Sequence, residues 1–252
     1  MALETRQRLY VDAPLGQGLT VTLDRDQSHY LVTVLRMTAD AEILVFNGRD
    51  GEWSATLTDA HKKAAVLAVR DQTKDQENIP SLMLAFAPIK KARIDYIAEK
   101  ATELGVGVLQ PVITDYTQVS RVNTARLDAN AIEAAEQTGR TTLMQINDPI
   151  SLSQLLEEWP SSRHIIFCDE DCAGSGDHAM AEVLMSLDAA SQDSAILIGP
   201  EGGFSPRERD LISAYPRAIP VSLGTNILRA DTAMLAAIAI WQATVGTWKG
   251  RH

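Results

Sequence analysis

Two glycine-containing segments near the C-terminus combine backbone groups with charged side chains that could act on a ligand. Gly199–Gly203 carries Glu201, and Leu223–Arg229 ends in a cation. Glycines let the backbone approach a ligand without interference from Cβ atoms, while Glu and Arg can accept a proton and stabilise an anion. Each segment follows a short apolar run and precedes a helix start, so both are expected at one sheet edge. Such a cleft suits a nucleotide-like cofactor.

The elements that position these two loops are predicted from apolar periodicity. From Ser81 onward, short apolar runs alternate with amphipathic segments, which favours a mostly parallel sheet flanked by helices. The chain beyond residue 80 is therefore predicted to be an α/β domain. A helix is predicted over Ala92–Leu104, and strands are predicted at Leu82–Ala87, Val108–Ile113, Ile165–Cys168, Ala195–Ile198 and Ile219–Leu223.

A helix start is predicted after each glycine loop. Ser205, followed by proline and then by Glu208, has the residue types and spacing of an N-cap with a capping box. After the second loop, Asp231 or Thr232 is expected to cap a helix over 233–245. This helix is apolar nearly all round, so it must be buried against the sheet or against a second subunit.

Residues 1–72 are predicted to form a small β-rich domain with one short helix at Gln27–Leu35. Asn47-Gly48 and Asp50-Gly51 supply the turn chemistry of a hairpin. Residues 73–80 are polar, lack apolar periodicity and end in proline, so we assign them as the linker to domain 81–252. The predicted strands are Leu19–Leu23, Ile43–Phe46, Trp53–Leu57 and Ala64–Val69.

The composition excludes several classes of protein. With 45% hydrophobic residues, a chain of 252 residues can bury an ordinary core. No apolar run approaches the roughly 18 residues of a membrane span, which predicts a cytoplasmic protein. A formal charge of −10 argues against indiscriminate binding of nucleic acid but allows local basic patches. Cys168 and Cys172 have no second Cys or His pair at zinc-site spacing, which favours reduced thiols and no metal.

The two loops together resemble motifs of the SPOUT methyltransferases. Three further stretches narrow the resemblance to the ribosomal RNA small subunit methyltransferase E family: Ser28–Arg36, Lys100–Val106 followed by Gln110-Pro111, and Glu133–Arg140. The resemblance covers nearly the whole chain. It implies a C-terminal parallel sheet with a trefoil knot that holds S-adenosylmethionine, a PUA-like N-terminal β-barrel that binds RNA, and a homodimer. It also implies methylation of N3 of a uridine in 16S ribosomal RNA of the small subunit.

The resemblance and the residue types give roles to individual side chains. Arg229 can stabilise the developing negative charge of a deprotonated uracil, and Glu201 or Asp231 can accept its proton, directly or through water. The residues expected to line the cofactor are Leu197, Gly199, Glu201, Gly203, Leu223, Gly224 and Leu228. The candidate RNA contacts are Arg6, Arg8, Arg36, Lys90, Lys91, Arg93 and Arg140.

Each of these roles has an alternative. Arg229 can instead pair with Asp231 or cap a carbonyl group, and Glu201 can bind the N–H groups of its own loop. Asp231 can be an N-cap and nothing more. The basic residues can form an ordinary charged, solvated face.

Three positions depart from the pattern of the family. Arginine is usual where Asn226 and Tyr116 stand, and glutamate is usual where Asp231 stands. Neither Asn nor Tyr carries the fixed charge of a guanidinium, so substrate position or affinity is expected to differ. Two further hypotheses therefore stay open: a SPOUT methyltransferase that acts on a different RNA, and a non-catalytic RNA-binding or ribosome-assembly protein that retains the fold.

Overall fold

A computed structural model describes residues 7–89, 91–119, 121–174, 178–187 and 193–248. The chain divides into two compact units. Unit 1 contains the residues up to 79 together with 135–143, and unit 2 contains 80–134 and the residues from 144 onward. The boundary at residue 79 falls inside the predicted linker, whereas the sequence-based division lacks the 135–143 segment of unit 1.

Unit 1 is built on a five-stranded sheet. Its strands are β1 Arg8–Tyr10, β2 Thr20–Thr22, β3 Glu42–Phe46, β4 Glu52–Asp59 and β5 Val66–Lys74, and its helices are α1 Arg25–His29 and a π-helical turn over Tyr30–Val34. The strands lie in the order β1-β3-β4-β5-β2. Leu31, Ile43, Leu57 and Leu67 are fully buried in its core.

The hairpin predicted in unit 1 is confirmed. β3 and β4 pair antiparallel, and Gly48 and Gly51 between them have φ angles of 82° and 81°. A Cβ atom on Gly51 would lie 2.3 Å from the carbonyl oxygen of Lys74. The close approach of two backbones and the positive φ both require glycine at this position.

Two predictions in unit 1 are wrong in extent. The single helix over Gln27–Leu35 is replaced by α1 and the π-helical turn, because the capping box of Asp24 and Gln27 starts the helix earlier. β5 continues to Lys74, into the predicted linker, and Thr73 Oγ1 donates to Glu52 Oε1 at 2.8 Å. β1 has only three residues, too few to give a pattern in the sequence.

Arg8, a candidate RNA contact, belongs to the interior of unit 1. Its side chain is only 9% exposed, and its Nε donates to Glu52 Oε2 at 2.6 Å. The remaining guanidinium nitrogens donate to the carbonyl oxygens of Ala135, Glu136 and Arg140 at 2.5 to 2.9 Å. We therefore correct its role to a structural one, since each of its three guanidinium nitrogens donates a hydrogen bond within unit 1.

The remainder of the chain contains seven strands, six α-helices and a 3-10 turn over Glu170–Cys172 within the residues that the structure describes. The strands are β6 Met83–Phe86, β7 Val108–Ile113, β8 Gln145–Ile146, β9 Ile150–Ser151, β10 His164–Cys168, β11 Ser194–Ile198 and β12 Ala218–Val221. The helices are α2 Lys91–Glu103, α3 Thr124–Thr138, α4 Leu152–Glu158, α5 Met180–Ser186, α6 Pro206–Ser213 and α7 Ala230–Thr244. The strand order is β12-β10-β11-β6-β7-β8, with β9 paired to β7, and all of these pairs are parallel.

The predicted elements of unit 2 are largely confirmed. β6, β7, β10, β11 and α2 lie within two residues of their predicted bounds, and β12 ends two residues early. The prediction for α7 is wrong at its start, because the helix begins at Ala230 and Arg229 takes the N-cap position. α3, α4 and α5 were not predicted. The sheet carries one apolar core on each face, and α2, α5 and α7 contribute to the larger of the two.

No helix among the described residues is long and apolar enough to cross a membrane.

Replacing Arg8 by alanine is expected to destabilise unit 1 by about 3 kcal/mol, because the buried Glu52 carboxylate loses its main partner. Urea unfolding followed by circular dichroism measures this change. Arg25→Ala, in the exposed first turn of α1, serves as the control and is expected to change stability by less than about 0.5 kcal/mol. Equal stability of the two variants would contradict a structural role for Arg8.

Candidate active site

Three neighbouring strands of unit 2 end together at one edge of the sheet. β10 lies between β11 and β12, and Cys168, its last residue, is in register with Ile198 on one side and Val221 on the other. Because all three strands are parallel, the loops that follow them must meet. These loops border a cavity of about 270 Å³, in the position where ligands bind to open α/β sheets.

The first glycine loop leads from β11 into α6. Gly203 has a φ angle of 69°, and a Cβ atom there would lie 2.2 Å from Oε1 of Glu170, a residue that follows β10. The capping box predicted at the start of α6 is confirmed: Ser205 Oγ accepts from the Glu208 N–H, and Glu208 Oε2 accepts from the Ser205 N–H at 3.0 Å. The loop is thus held between a strand end and a capped helix start.

The second glycine loop leads from β12 into α7. Gly224 has a φ angle of 120°, and its N–H donates to Ser222 Oγ at 3.2 Å. Arg229 is exposed, lines the cavity and occupies the N-cap position of α7 without a capping hydrogen bond from its side chain. A cation at a helix N-terminus lies at the positive end of the helix dipole, which is unfavourable. Helix stability therefore does not explain this arginine.

A third loop, absent from the sequence-based prediction, completes the cavity. Asp169 and Glu170 follow β10 and line the cavity, as does Arg209 of α6. The guanidinium of Arg209 forms ion pairs with Asp169, Glu170 and Asp171. The only signal in the sequence is an acidic run directly after an apolar strand. The sequence alone does not show that β10 lies between β11 and β12.

Six of the seven residues expected to bind the cofactor line this cavity. They are Gly199, Glu201, Gly203, Leu223, Gly224 and Leu228. The exception is Leu197, which is fully buried in the core on the opposite face and is not among the described lining residues. Ile198 lines the cavity instead, because successive strand residues face opposite sides of a sheet.

Two of the three candidate catalytic residues line the cavity in the structure. Arg229 and Glu201 both line the cavity. Asp231 is not among the described lining residues: its Oδ2 lies 3.5 Å from Arg93 Nε, and its Oδ1 accepts from the Thr232 N–H. The alternative ion pair between Arg229 and Asp231 is therefore replaced by a pair between Arg93 and Asp231.

The remaining RNA candidates lie in different environments. Arg36 is exposed, with a φ angle of 57°, whereas burial lowers the pKa of the Arg140 guanidinium and nearby Glu77 opposes this shift. Arg140 also donates to Thr142 Oγ1 at 3.0 Å. Arg6, Lys90 and the side chain of Lys91 lie outside the described residues.

Comparison with known proteins places this site in a family. Residues 76–242 match the model of an RNA methyltransferase domain, and residues 23–69 match that of an RNA methyltransferase PUA domain. The ribosomal RNA small subunit methyltransferase E of Rickettsia conorii is 33% identical over 233 residues, covering 92% of this chain and 93% of the relative. The chain belongs to the ribosomal RNA small subunit methyltransferase E family. The family member from Synechocystis is 32% identical and covers 87% of this chain and 72% of the relative.

Solved structures of similar proteins agree with this membership. The family member from Neisseria gonorrhoeae, bound to S-adenosyl methionine, is 29% identical with a TM-score of 0.82, and the match covers 94% of this chain and 97% of that one. A putative methyltransferase from Legionella pneumophila, in complex with the cofactor SAM, is 27% identical with a TM-score of 0.81 and the same coverage. The predicted α/β fold class with an N-terminal PUA domain is confirmed, while the trefoil knot stays a prediction.

Cys168 and Cys172 are both free thiols in the structure. Although Cys168 lines the cavity, burial, reinforced by Asp169, raises the pKa of its thiol to about 12. Burial and the neighbouring aspartates raise the pKa of the Cys172 thiol as well. Thiolates are the reactive form, so both side chains are expected to be poor nucleophiles.

Cys168 is expected to resist alkylation by iodoacetamide at pH 8, where a thiol of this pKa is ionised in about one molecule in ten thousand. Peptide mass spectrometry after timed labelling measures the modification of each cysteine. The same reaction in guanidinium chloride provides the control, since both thiols should then react. Modification of native Cys168 as fast as in the unfolded chain would contradict the assignment.

Proposed function

We propose that this chain is an S-adenosylmethionine-dependent methyltransferase that methylates N3 of a uridine in 16S ribosomal RNA of the small subunit. The observation that carries the proposal is the convergence of two glycine loops and Arg229 on one cavity. Three of the relatives named above share the name ribosomal RNA small subunit methyltransferase E, and two solved structures hold a bound methyl donor, which supports the same activity.

The residues that border the cavity fit the proposed methyl donor. Ile198, Val221 and Leu228 offer apolar surface for a flat adenine ring, while the glycine loops present backbone polar groups. The cavity of about 270 Å³ is close to the lower end of the volumes of small-molecule sites, about 300 Å³. When bound, the donor supplies a methyl group activated by a sulfonium.

The proposed reaction needs an anion stabiliser and a proton acceptor. The N3 lone pair of uracil becomes a good nucleophile only as the N3 proton leaves, and negative charge then develops on the two carbonyl oxygens of the ring. Arg229 stabilises that charge, and the Glu201 carboxylate takes the proton, directly or through one water. The new N3–carbon bond forms as the sulfur–carbon bond of the donor breaks. Asp231 is left out of this step because it pairs with Arg93.

Binding of RNA is proposed to depend on local basic groups, since the chain as a whole carries a formal charge of −10. Among the described candidates, Arg36 is the exposed cation, while Arg93 and Arg140 contact other side chains. Arg6, Lys90 and Lys91 remain candidates from the sequence. Arg36 lies within the residues that match the PUA domain model.

We also propose a homodimer in the cytoplasm. α7 buries Met234, Ala237 and Ile238 in the core of unit 2, but its other side keeps apolar residues partly exposed. That side contains Leu235, Ala236 and Ala239. An apolar helix face of this kind is stabilised by covering it, and a two-fold related copy of the same face is the simplest cover. We propose as well that the C-terminal part of the chain forms a trefoil knot.

One experiment separates the proposed activity from its two alternatives. Small-subunit RNA or particles are incubated with the protein and tritiated S-adenosylmethionine, and the product is analysed by nucleoside mass spectrometry. Label in N3-methyluridine of 16S ribosomal RNA supports the proposal. Label in another RNA or nucleoside indicates a different substrate, and RNA binding without any label indicates a non-catalytic protein.

Replacing Arg229 by alanine is expected to abolish methyl transfer, because the developing uracil anion loses its stabilising charge. Donor affinity measured by calorimetry should stay close to that of the wild-type protein, since an anion stabiliser acts mainly in the transition state. Arg207→Ala is the control, because the Arg207 side chain is exposed on α6, and this variant should retain turnover. Unchanged turnover of Arg229→Ala would remove this residue from the mechanism.

Arg36→Gln is expected to weaken RNA binding and to reduce the slope of log affinity against log salt concentration by about 1, as for the loss of one phosphate contact. Filter binding at several salt concentrations measures both quantities. Arg25→Gln offers a matched control, because Arg25 is equally exposed in the same unit. Identical salt slopes for the two variants would place Arg36 outside the RNA contact.

A further inference from the structure

Arg209 connects two loops that are far apart in the sequence. It lies on α6, just after the first glycine loop, and its Nε donates to the carbonyl oxygen of Phe204 at 3.3 Å. Its Nη1 pairs with Asp169 and lies 2.6 Å from Asp171 Oδ2, and its Nη2 lies 3.5 Å from Glu170 Oε1. Nε thus fixes the side chain to the segment after the glycine loop, while Nη1 and Nη2 hold the β10 loop.

This cluster differs from an ordinary surface ion pair, which contributes little because solvent screens it. The side chain of Arg209 is only 19% exposed and that of Asp169 only 12%. One cation faces three carboxylates, so its removal would leave like charges next to one another. The β10 loop would then be expected to move away from the glycine loop.

The cluster also forms part of the cavity wall. Asp169, Glu170 and Arg209 all line it, beside Gly203. A Cβ atom on Gly203 would lie 2.2 Å from Glu170 Oε1, so the carboxylate rests directly against the glycine loop. A displacement of Glu170 would therefore change the shape of the cavity at the glycine loop.

We propose that Arg209 is a positioning residue that fixes the β10 loop as the third wall of the donor cavity. This inference rests on the proposed function, because it assigns the cavity to the methyl donor. Arg209 acts through Asp169 and Glu170, and it sets the affinity for the donor without taking part in the transfer itself.

The test compares Arg209→Gln with Arg207→Gln, a matched change two residues away on the same helix, where the arginine is 70% exposed. Donor affinity is measured by calorimetry in the absence of RNA, and turnover is measured with RNA at saturating donor. Arg209→Gln is expected to weaken donor binding by about tenfold or more, as for loss of one member of a largely buried charge pair. Turnover at saturating donor and KM for RNA should change less than about threefold. Arg207→Gln should leave all three quantities unchanged.

Two further variants keep the inference open to refutation if Arg209→Gln is unstable. Arg209→Lys keeps the charge but cannot span three carboxylates, so its donor affinity should be intermediate. Asp169→Asn should weaken donor binding alone and add little in the Arg209→Gln background, because both changes break one contact. Wild-type donor affinity in Arg209→Lys, or additive effects in the double variant, would overturn the inference. Absence of donor binding by the wild-type protein would instead refute the proposed function.

Discussion

The register of three parallel strands is the constraint on which the whole site depends. Main-chain hydrogen bonds place Cys168 between Ile198 and Val221, and all three residues line the cavity. The residue that follows each strand therefore starts a loop at the same edge of the sheet. A slip of one residue would turn the side chains of the shifted strand to the opposite face. Backbone pairing thus determines where the cavity lies, and side chains determine its lining.

Much of this arrangement could be predicted from local patterns. Apolar runs and the capping box of Ser205 and Glu208 are local signals, and both strand–loop–helix segments follow from them. Strand order is not local. β10 lies between β11 and β12 in the sheet, although β12 follows β11 and not β10 along the chain. Apolar periodicity gives no information about which strands are neighbours. The wall that Asp169 and Glu170 provide was missed for this reason.

Other errors concern residues whose local sequence signal is misleading. Arg8 is a basic residue near a chain end, and composition alone suggests a solvent-exposed cation. Its burial depends on Glu52 and on three carbonyl groups more than a hundred residues away in the sequence. Likewise, Asp231 and Thr232 are good capping residues, yet α7 begins at Ala230. Arg229, at the end of the second glycine loop, takes the N-cap position instead.

The charges around the cavity separate two tasks. Arg209 is neutralised by three carboxylates, so it is suited to hold structure, whereas Arg229 stands at the unfavourable end of the α7 dipole and is exposed to the cavity. A fixed charge that does not stabilise its own helix is available to interact with a ligand. Under the proposed function, one arginine therefore holds the wall of the donor cavity and the other stabilises the reacting base.

Two of the positions that depart from the family pattern, Tyr116 and Asn226, lie at the two glycine loops. Tyr116 is 48% exposed, and its Cβ lies 3.6 Å from the place of a Cβ on Gly202. Asp115 fixes it there, since its N–H donates to Glu208 and its carboxylate accepts from Ser205 at the start of α6. An aromatic ring at this point offers stacking surface where a guanidinium would offer charge. Asn226, exposed in the second loop, offers hydrogen bonds in place of charge. Under the proposed function, both replacements alter contacts to RNA, whereas the proposed methyl transfer depends on Glu201 and Arg229.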